Sequence, residues 1–179
     1  MKLNFGCGYA PKEGYLNLDK DQCNLDKLPL SFADKSIDEI YCSHVLEHLN
    51  VKPQQLMAEF MRIIKDEGMI CIKVPHFSWH NAFDEDHERF FNINAFSYLH
   101  KSNPEKDNYA QIDRSVQIKF YKNWRFWEYF VEEIVNTDRR IAMIWESTFL
   151  VHLFPANELH FLIRKEGVRR GGMRKSPPL

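Results

Sequence analysis

Two glycines close the first short apolar run of this chain, and an aspartate closes the second only eleven positions further on. Leu3-Asn4-Phe5 runs into Gly6-Cys7-Gly8, and Tyr15 to Leu18 runs into Asp19. Both runs read as strands, the first ending in a tight loop. Glycines at a strand end let the backbone take positive φ without strain and come close to a ligand. An open parallel sheet binds its ligands beyond the carboxyl ends of its strands, near the point where strand order reverses. A parallel crossover takes about a dozen residues or more and usually includes a helix. The eleven positions from Gly8 to Asp19 leave a helix little room. The five from Asp19 to Asn24 exclude a regular third parallel strand directly afterwards. Any sheet built on these strands is trimmed on this side.

Further along, Ile37 to Cys42 reads as a strand after the turn-like Ala33-Asp34-Lys35-Ser36. Pro53 suits the first turn of a helix whose stripe is Leu56, Phe60, Ile63 and Ile64, and Gly68 is its expected stop. Met69 to Val74, closed by Pro75, has the continuous apolar character of a buried parallel strand. Residues 76–114 read as loop, rich in histidines and aromatics. Val116 to Phe120 and Leu159 to Arg164 read as strands. Between them Trp127, Phe130, Val131 and Ile134 share a helical face opposite Glu128, Glu132 and Glu133. Alternating strands and helices predict an α/β fold with a mostly parallel sheet. The boundaries expected are one domain over 1–166 and a basic, solvated tail over 167–179.

Composition narrows the class. Lys+Arg 24 against Asp+Glu 25 gives a net charge of −1, which argues against a dedicated nucleic-acid binder. No apolar run approaches the roughly 18 residues of a membrane span, and residues 1–6 lack the regions of a signal peptide. Cys7, Cys23, Cys42 and Cys71 show no C-x-x-C spacing and read as reduced thiols in a cytoplasmic protein. The aromatic share of 14% predicts a ring-rich core or pocket.

The ordered set of Leu3 to Gly8, Asn17-Leu18-Asp19, Leu28-Pro29, Asp34 to Ile40, Leu46-Glu47-His48-Leu49 and Arg62 to Gly68 resembles the class I S-adenosylmethionine-dependent methyltransferases. Within them it is most similar to small bacterial type-11-like members with an abbreviated N-terminal half. The resemblance implies a Rossmann-like fold with helices on both faces of the sheet and S-adenosylmethionine as cofactor. It implies that Gly6, Cys7 and Gly8 line the methionine and ribose part of the cofactor and that Asp19 binds the ribose. Asn24 and Leu25 fall beside the adenine, where Asn24 replaces a frequent aspartate. Ser43 and His44 face the methionine end. Under this reading the partner is a small-molecule or carbohydrate acceptor, O- or N-methylated, with no nucleic acid and no membrane.

Two histidine clusters invite chemistry. His44-Val45-Leu46-Glu47-His48 matches H-x-x-E-H, in which two histidines bind zinc and the glutamate acts as base. A zinc hydrolase is therefore an alternative, although the motif follows a strand directly and Pro53 opens a helix soon after. The same residues also serve simply to cap and pack a helix start. Pro75-His76, His80 and Asp84-Glu85-Asp86-His87 follow the fifth strand of the family pattern, where the loop shapes the substrate site. His76, His80, Asp84 and His87 are the candidate acceptor-binding residues. His87, beside carboxylates, is the candidate general base, with His44 a second catalytic candidate. His76, His80, Asp84, Asp86 and His87 are also suitable metal-ligand types; the expectation is that no metal is bound. A non-catalytic binding domain that kept the fold is the rival from another class. The run Lys119 to Trp127 interleaves bases and aromatics, and core packing is its expected use.

Overall fold

The computed structural model describes residues 1–99, 112–120 and 125–165. Its centre is a six-stranded sheet: β1 Lys2–Phe5, β2 Leu16–Leu18, β3 Ile37–Ser43, β4 Ile64–Pro75, β5 Ile112–Phe120 and β6 Ala156–Lys165. The strand order is β2-β1-β3-β4-β6-β5. The pairs β2/β1, β1/β3 and β3/β4 are parallel; β4/β6 and β6/β5 are antiparallel. From β1 the chain steps outward to β2, then returns to the other side as β3. The switch point therefore lies at the carboxyl end of β1, where the glycine loop sits. Beyond β2 no further strand is paired among the described residues, as the spacing around Asp19 predicts.

Alternation sorts the sheet into two faces. Leu3 and Phe5, Ile40 and Cys42, Ile70, Ile72 and Val74, and Leu159, Phe161 and Ile163 share one face by register, and all are buried. The helix α1 (Pro53–Ile63) lies on it: Phe60 stacks on Phe5 with ring centroids 5.6 Å apart. Leu56, Met57, Phe60 and Ile63 of α1 are buried, each worth about 1.5–3 kcal/mol of transfer free energy. Phe96 meets Phe161 edge-on at 5.1 Å and Phe120 meets Trp145 at 5.4 Å, so the aromatic share does fill a ring-rich core.

On the opposite face, the connection from β1 to β2 carries no helix. Side chains from that connection cover the sheet instead. Tyr15 packs edge-on against Tyr41 at 6.4 Å, and the Lys12 ammonium stands 4.6 Å from the Tyr41 ring centre. The connection from β2 to β3 also lacks a helix and is held by α1. Glu59 accepts from the Leu30 amide at 2.7 Å, and Arg62 donates to the carbonyls of Leu30 and Phe32. A polar clamp thus stands where eighteen residues of connection formed no helix of their own.

Two local expectations are corrected. Gly68 does not stop α1; the helix ends at Ile63 and the chain enters β4 at once. Ile37 pairs Ile64 but Glu39 pairs Met69, so residues 65–68 bulge from the ladder. A Cβ on Gly68 would lie 2.6 Å from Ile64 Cγ1 and 3.1 Å from the Asp38 carbonyl oxygen, which is why glycine stands there. In α2 (Arg125–Thr137) the predicted apolar face is not the buried one. Phe130 and Ile134 are exposed and Val131 is half-buried, whereas Val135 is buried and Glu132 and Asn136 reach the β5 backbone. The cause is the free edge of β5. Asn136 accepts from the Ile118 amide and donates to its carbonyl, both at 2.8 Å, and Glu132 accepts from the Phe120 amide. Unpaired edge groups outrank the apolar stripe here. Two shorter helices, α3 (Arg139–Glu146) and α4 (Leu150–Leu153), follow. Residues 121–124 of the basic-aromatic run and the tail 167–179 lie outside the described residues, as does the side chain of Trp127.

Candidate active site

Two adjoining cavities open at the carboxyl ends of the parallel strands. The first, about 220 Å³, is lined by Gly6, Gly8, Asp19, Asn24, Leu25 and His44 of the expected residues. Lys20, Cys23, Asp26, Val45, His48 and Leu49 complete it. Gly6 and Gly8 take φ of +63° and +45°, the left-handed region that favours glycine. The Gly6 amide donates to the Leu18 carbonyl at 2.7 Å, locking the loop to the end of β2. A Cβ on Gly6 would meet Val45 Cγ2 at 2.2 Å, so the loop and the turn after β3 approach as closely as a glycine permits. Asp19 follows β2, and its Oδ1 accepts from the Lys20 amide at 2.8 Å. The Asn24 side-chain oxygen accepts from the Asp26 amide at 2.9 Å, and Leu25 is buried in the floor. Asp26 in turn accepts from the amides of Asn50 and Val51, both at 2.8 Å, pinning the far wall. Cys7 and Ser43 are half-buried beside this cavity without lining it.

The second cavity, about 430 Å³, is lined by His44, Glu47, His48, Pro75, Trp79, Asn81, Asp84, Asp86, His87, Asn157 and Glu158. It shares His44 and His48 with the first, so these histidines form the partition. Of the expected acceptor residues, Asp84 and His87 line this cavity and His76 and His80 do not. His76 is fully buried, bonded to the Ser78 hydroxyl at 2.7 Å and to Glu146 at 3.0 Å, with its ring against Trp145. It ties the end of β4 to α3. His80 is exposed at the start of a 3-10 turn (His80–Phe83), its ring 4.7 Å from that of Trp79.

His44 follows β3 with φ of +54°, an uncommon conformation for a side-chain-bearing residue. Its Nε2 lies 3.1 Å from Glu158 and its Nδ1 3.3 Å from Glu47. The hydrogen bond to Glu158, then that to Glu47, raise its pKa to about 9, so His44 is cationic at neutral pH and is no base there. Glu158 is correspondingly held well below the usual carboxylate range by His160 and His44. Leu46–His48 form a single 3-10 turn, so His44 and His48 do not share a helical face as the zinc-hydrolase motif requires. That alternative loses its geometry.

The loop carrying His87 is docked onto this turn through backbone groups. The Glu88 amide donates to the Glu47 carbonyl at 2.7 Å, and Arg89 donates to the carbonyls of Leu49 and Val51. His87 Nδ1 donates to the Ala82 carbonyl at 3.1 Å, which leaves Nε2 with its lone pair. His48 Nδ1 lies 3.2 Å from the Asp86 carbonyl and 3.1 Å from its carboxylate, which leaves its Nε2 bare in the same way. Glu158 and Asp26 were not singled out from sequence. Glu158 alternates with His160 at the start of β6, a signal lost by starting that strand at Leu159. Asp26 lies two residues beyond Asn24, inside a connection with no period to read.

The methyltransferase domain family matches residues 3–72. A comparison with curated protein sequences gives no match. Among solved structures, the chain is similar to a S-adenosylmethionine-dependent methyltransferase from Archaeoglobus fulgidus, at 16% identity and a TM-score of 0.53, covering 92% of this chain and 85% of that one. It is similar to another from Thermotoga maritima, at 14% identity and a TM-score of 0.51, covering 93% and 82%. It also resembles phosphoethanolamine N-methyltransferase 2 of Haemonchus contortus, at 14% identity and a TM-score of 0.52, covering 92% of this chain but 48% of that one. That enzyme was crystallised with S-adenosylhomocysteine. At these identities the structures speak for the fold. The domain match covers residues 3–72, and the parallel strands with a glycine loop at the switch point share the Rossmann-like fold of class I S-adenosylmethionine-dependent methyltransferases.

Proposed function

We propose that the chain transfers the methyl group of S-adenosylmethionine to a hydroxyl or amine of a small molecule or carbohydrate held in the second cavity. The observation that carries this is the shared wall. His44 and His48 line both cavities, so a cofactor in one and an acceptor in the other meet there.

The cofactor fits the first cavity. Gly6 and Gly8 expose backbone where a side chain would intrude, Asp19 presents a carboxylate to ribose hydroxyls, and Cys23 and Leu25 supply an apolar floor. When bound, the cofactor supplies a methyl group already activated by its sulfonium. The protein's share is placement and exclusion of water. Asp84, Asn81 and Trp79 offer the acceptor polar and aromatic contacts. His44 is a positioning residue, fixed between Glu47 and Glu158. The acceptor's proton leaves toward the bare Nε2 atoms of His87 and His48.

The test is transfer of isotopically labelled methyl to a panel of saccharides, alcohols and amines. Label should reach an acceptor, and Asp19→Ala should abolish the transfer at low cofactor concentration. Tight cofactor binding with no transfer to any acceptor would favour the non-catalytic reading.

A further inference from the structure

We propose that Glu47, His48 and His87 bind a divalent first-row metal ion of zinc-like character at the wall of the acceptor cavity. One ligand atom from each residue lies within 4.8 Å of the others. Ligands about 2.1 Å from a tetrahedral zinc sit roughly 3.4 Å apart, so the ion would draw the three together by about an ångström.

Three further observations point the same way. Glu47 is completely buried, and among the described residues its carboxylate meets only the His44 imidazole, at Oε1 and 3.3 Å, with Oε2 left without a partner. The nearby His44 Nδ1, at 3.3 Å, answers only part of that charge. A fully buried carboxylate oxygen with no donor of its own is unfavourable, and a metal ion on that side would meet it. Second, both imidazoles are already oriented as metal ligands are. The Asp86 carbonyl and carboxylate fix His48, the Ala82 carbonyl fixes His87, and each presents a bare Nε2. Third, the two rings already stand edge-to-face with centroids 4.7 Å apart, close enough to share one ion.

Two imidazoles and one carboxylate suit zinc, iron, cobalt or manganese better than calcium or magnesium, which prefer all-oxygen shells. Three protein ligands leave a coordination position open, and it faces the cavity that also holds Asp84 and Trp79. Resting on the methyltransferase reading above, the acceptor class this favours is a hydroxyl compound. Its oxygen would occupy the open position and lose its proton more readily there, to the Asp84 carboxylate or to water in the same cavity. Ligation uses the same Nε2 lone pairs that the metal-free reaction gives to the acceptor's proton.

Cobalt(II) titrated into chelator-stripped protein tests the site through its visible absorption, with zinc as competitor. One equivalent should bind with micromolar or tighter affinity and be displaced by zinc. His48→Ala and His87→Ala should each weaken binding by about a hundredfold, and the exposed His152→Ala should leave it unchanged. Glu47→Gln should do the same as the histidine variants; if it fails to fold, His87→Ala on its half-exposed loop decides. No absorption at millimolar cobalt, or a band that survives both histidine substitutions, would overturn the site. S-adenosylhomocysteine binding to the same stripped protein reports separately on the methyltransferase reading. Binding of that product without cobalt binding rejects the metal site alone.

Discussion

The imidazoles of His48 and His87 stand edge-to-face, with ring centroids 4.7 Å apart and planes at 76°. One comes from the turn after β3, the other from the loop after β4. Their meeting places the end of the first cavity against the second, and the proposed methyl transfer rests on that juxtaposition. The following outcomes are expected of the elements that hold this arrangement.

Gly6→Ala should destabilise the protein by about 1–3 kcal/mol, combining left-handed strain with overpacking against Val45. The Cβ would fall 2.2 Å from Val45 Cγ2. Adding Val45→Ala should recover part of the loss but not all, because φ remains +63°. Gly8→Ala, where a Cβ meets nothing within 4 Å, should cost only the backbone strain. Urea unfolding of the four proteins checks this; equal losses at both glycines would contradict it.

Arg62→Ala should lower stability by about 1–3 kcal/mol, since it strips charged hydrogen bonds from the connection before β3. Glu59 is part of the same clamp. The Arg62 hydrogen bond and the Leu30 amide hold its pKa below the ordinary 4.5. A depressed folded pKa means that the stabilisation is fully present above pH 4.5 and is lost as pH falls through the lower folded value. Thermal unfolding followed from pH 7 to pH 3 should therefore show a smaller acid loss in Glu59→Gln than in the parent. Parallel curves would remove Glu59 from the acid response.

Asn136→Ala should expose the edge of β5 by removing its paired contacts with the Ile118 backbone. Stability should fall by about 1–3 kcal/mol, and the tendency to associate should rise. Analytical ultracentrifugation at rising concentration, beside the melting temperature, checks both. An unchanged melting temperature would show that water replaces the Asn136 contacts at no loss.

Where period and punctuation agree, the fold was legible from sequence. Leu3 to Phe5 before Gly6, Leu56 and Phe60 on α1, and the apolar run into Pro75 all sit where expected, and so does the missing room around Asp19. What escaped sequence reading depends on partners distant along the chain. Gly68 looks like a helix stop until Asp38 is seen packed against it. Glu132 and Asn136 look solvent-facing until the edge of β5 claims them. His76 looks like a loop residue until Glu146, seventy positions away, accepts from it in the core. Much of the lining of the first cavity was readable because Gly6 to Asp26 supply most of it. The second cavity draws on the turn after β3, the loop after β4 and the start of β6, and no local pattern announces that union.

The central claim is that Gly6, Gly8 and Asp19 frame a cofactor site despite the trimmed sheet edge. Calorimetric titration of S-adenosylhomocysteine tests it most directly. The account predicts saturable binding of one equivalent, weakened roughly tenfold or more in Asp19→Ala, the range expected for a charged hydrogen bond. Absence of detectable binding at millimolar ligand, in a protein that remains folded, would contradict it.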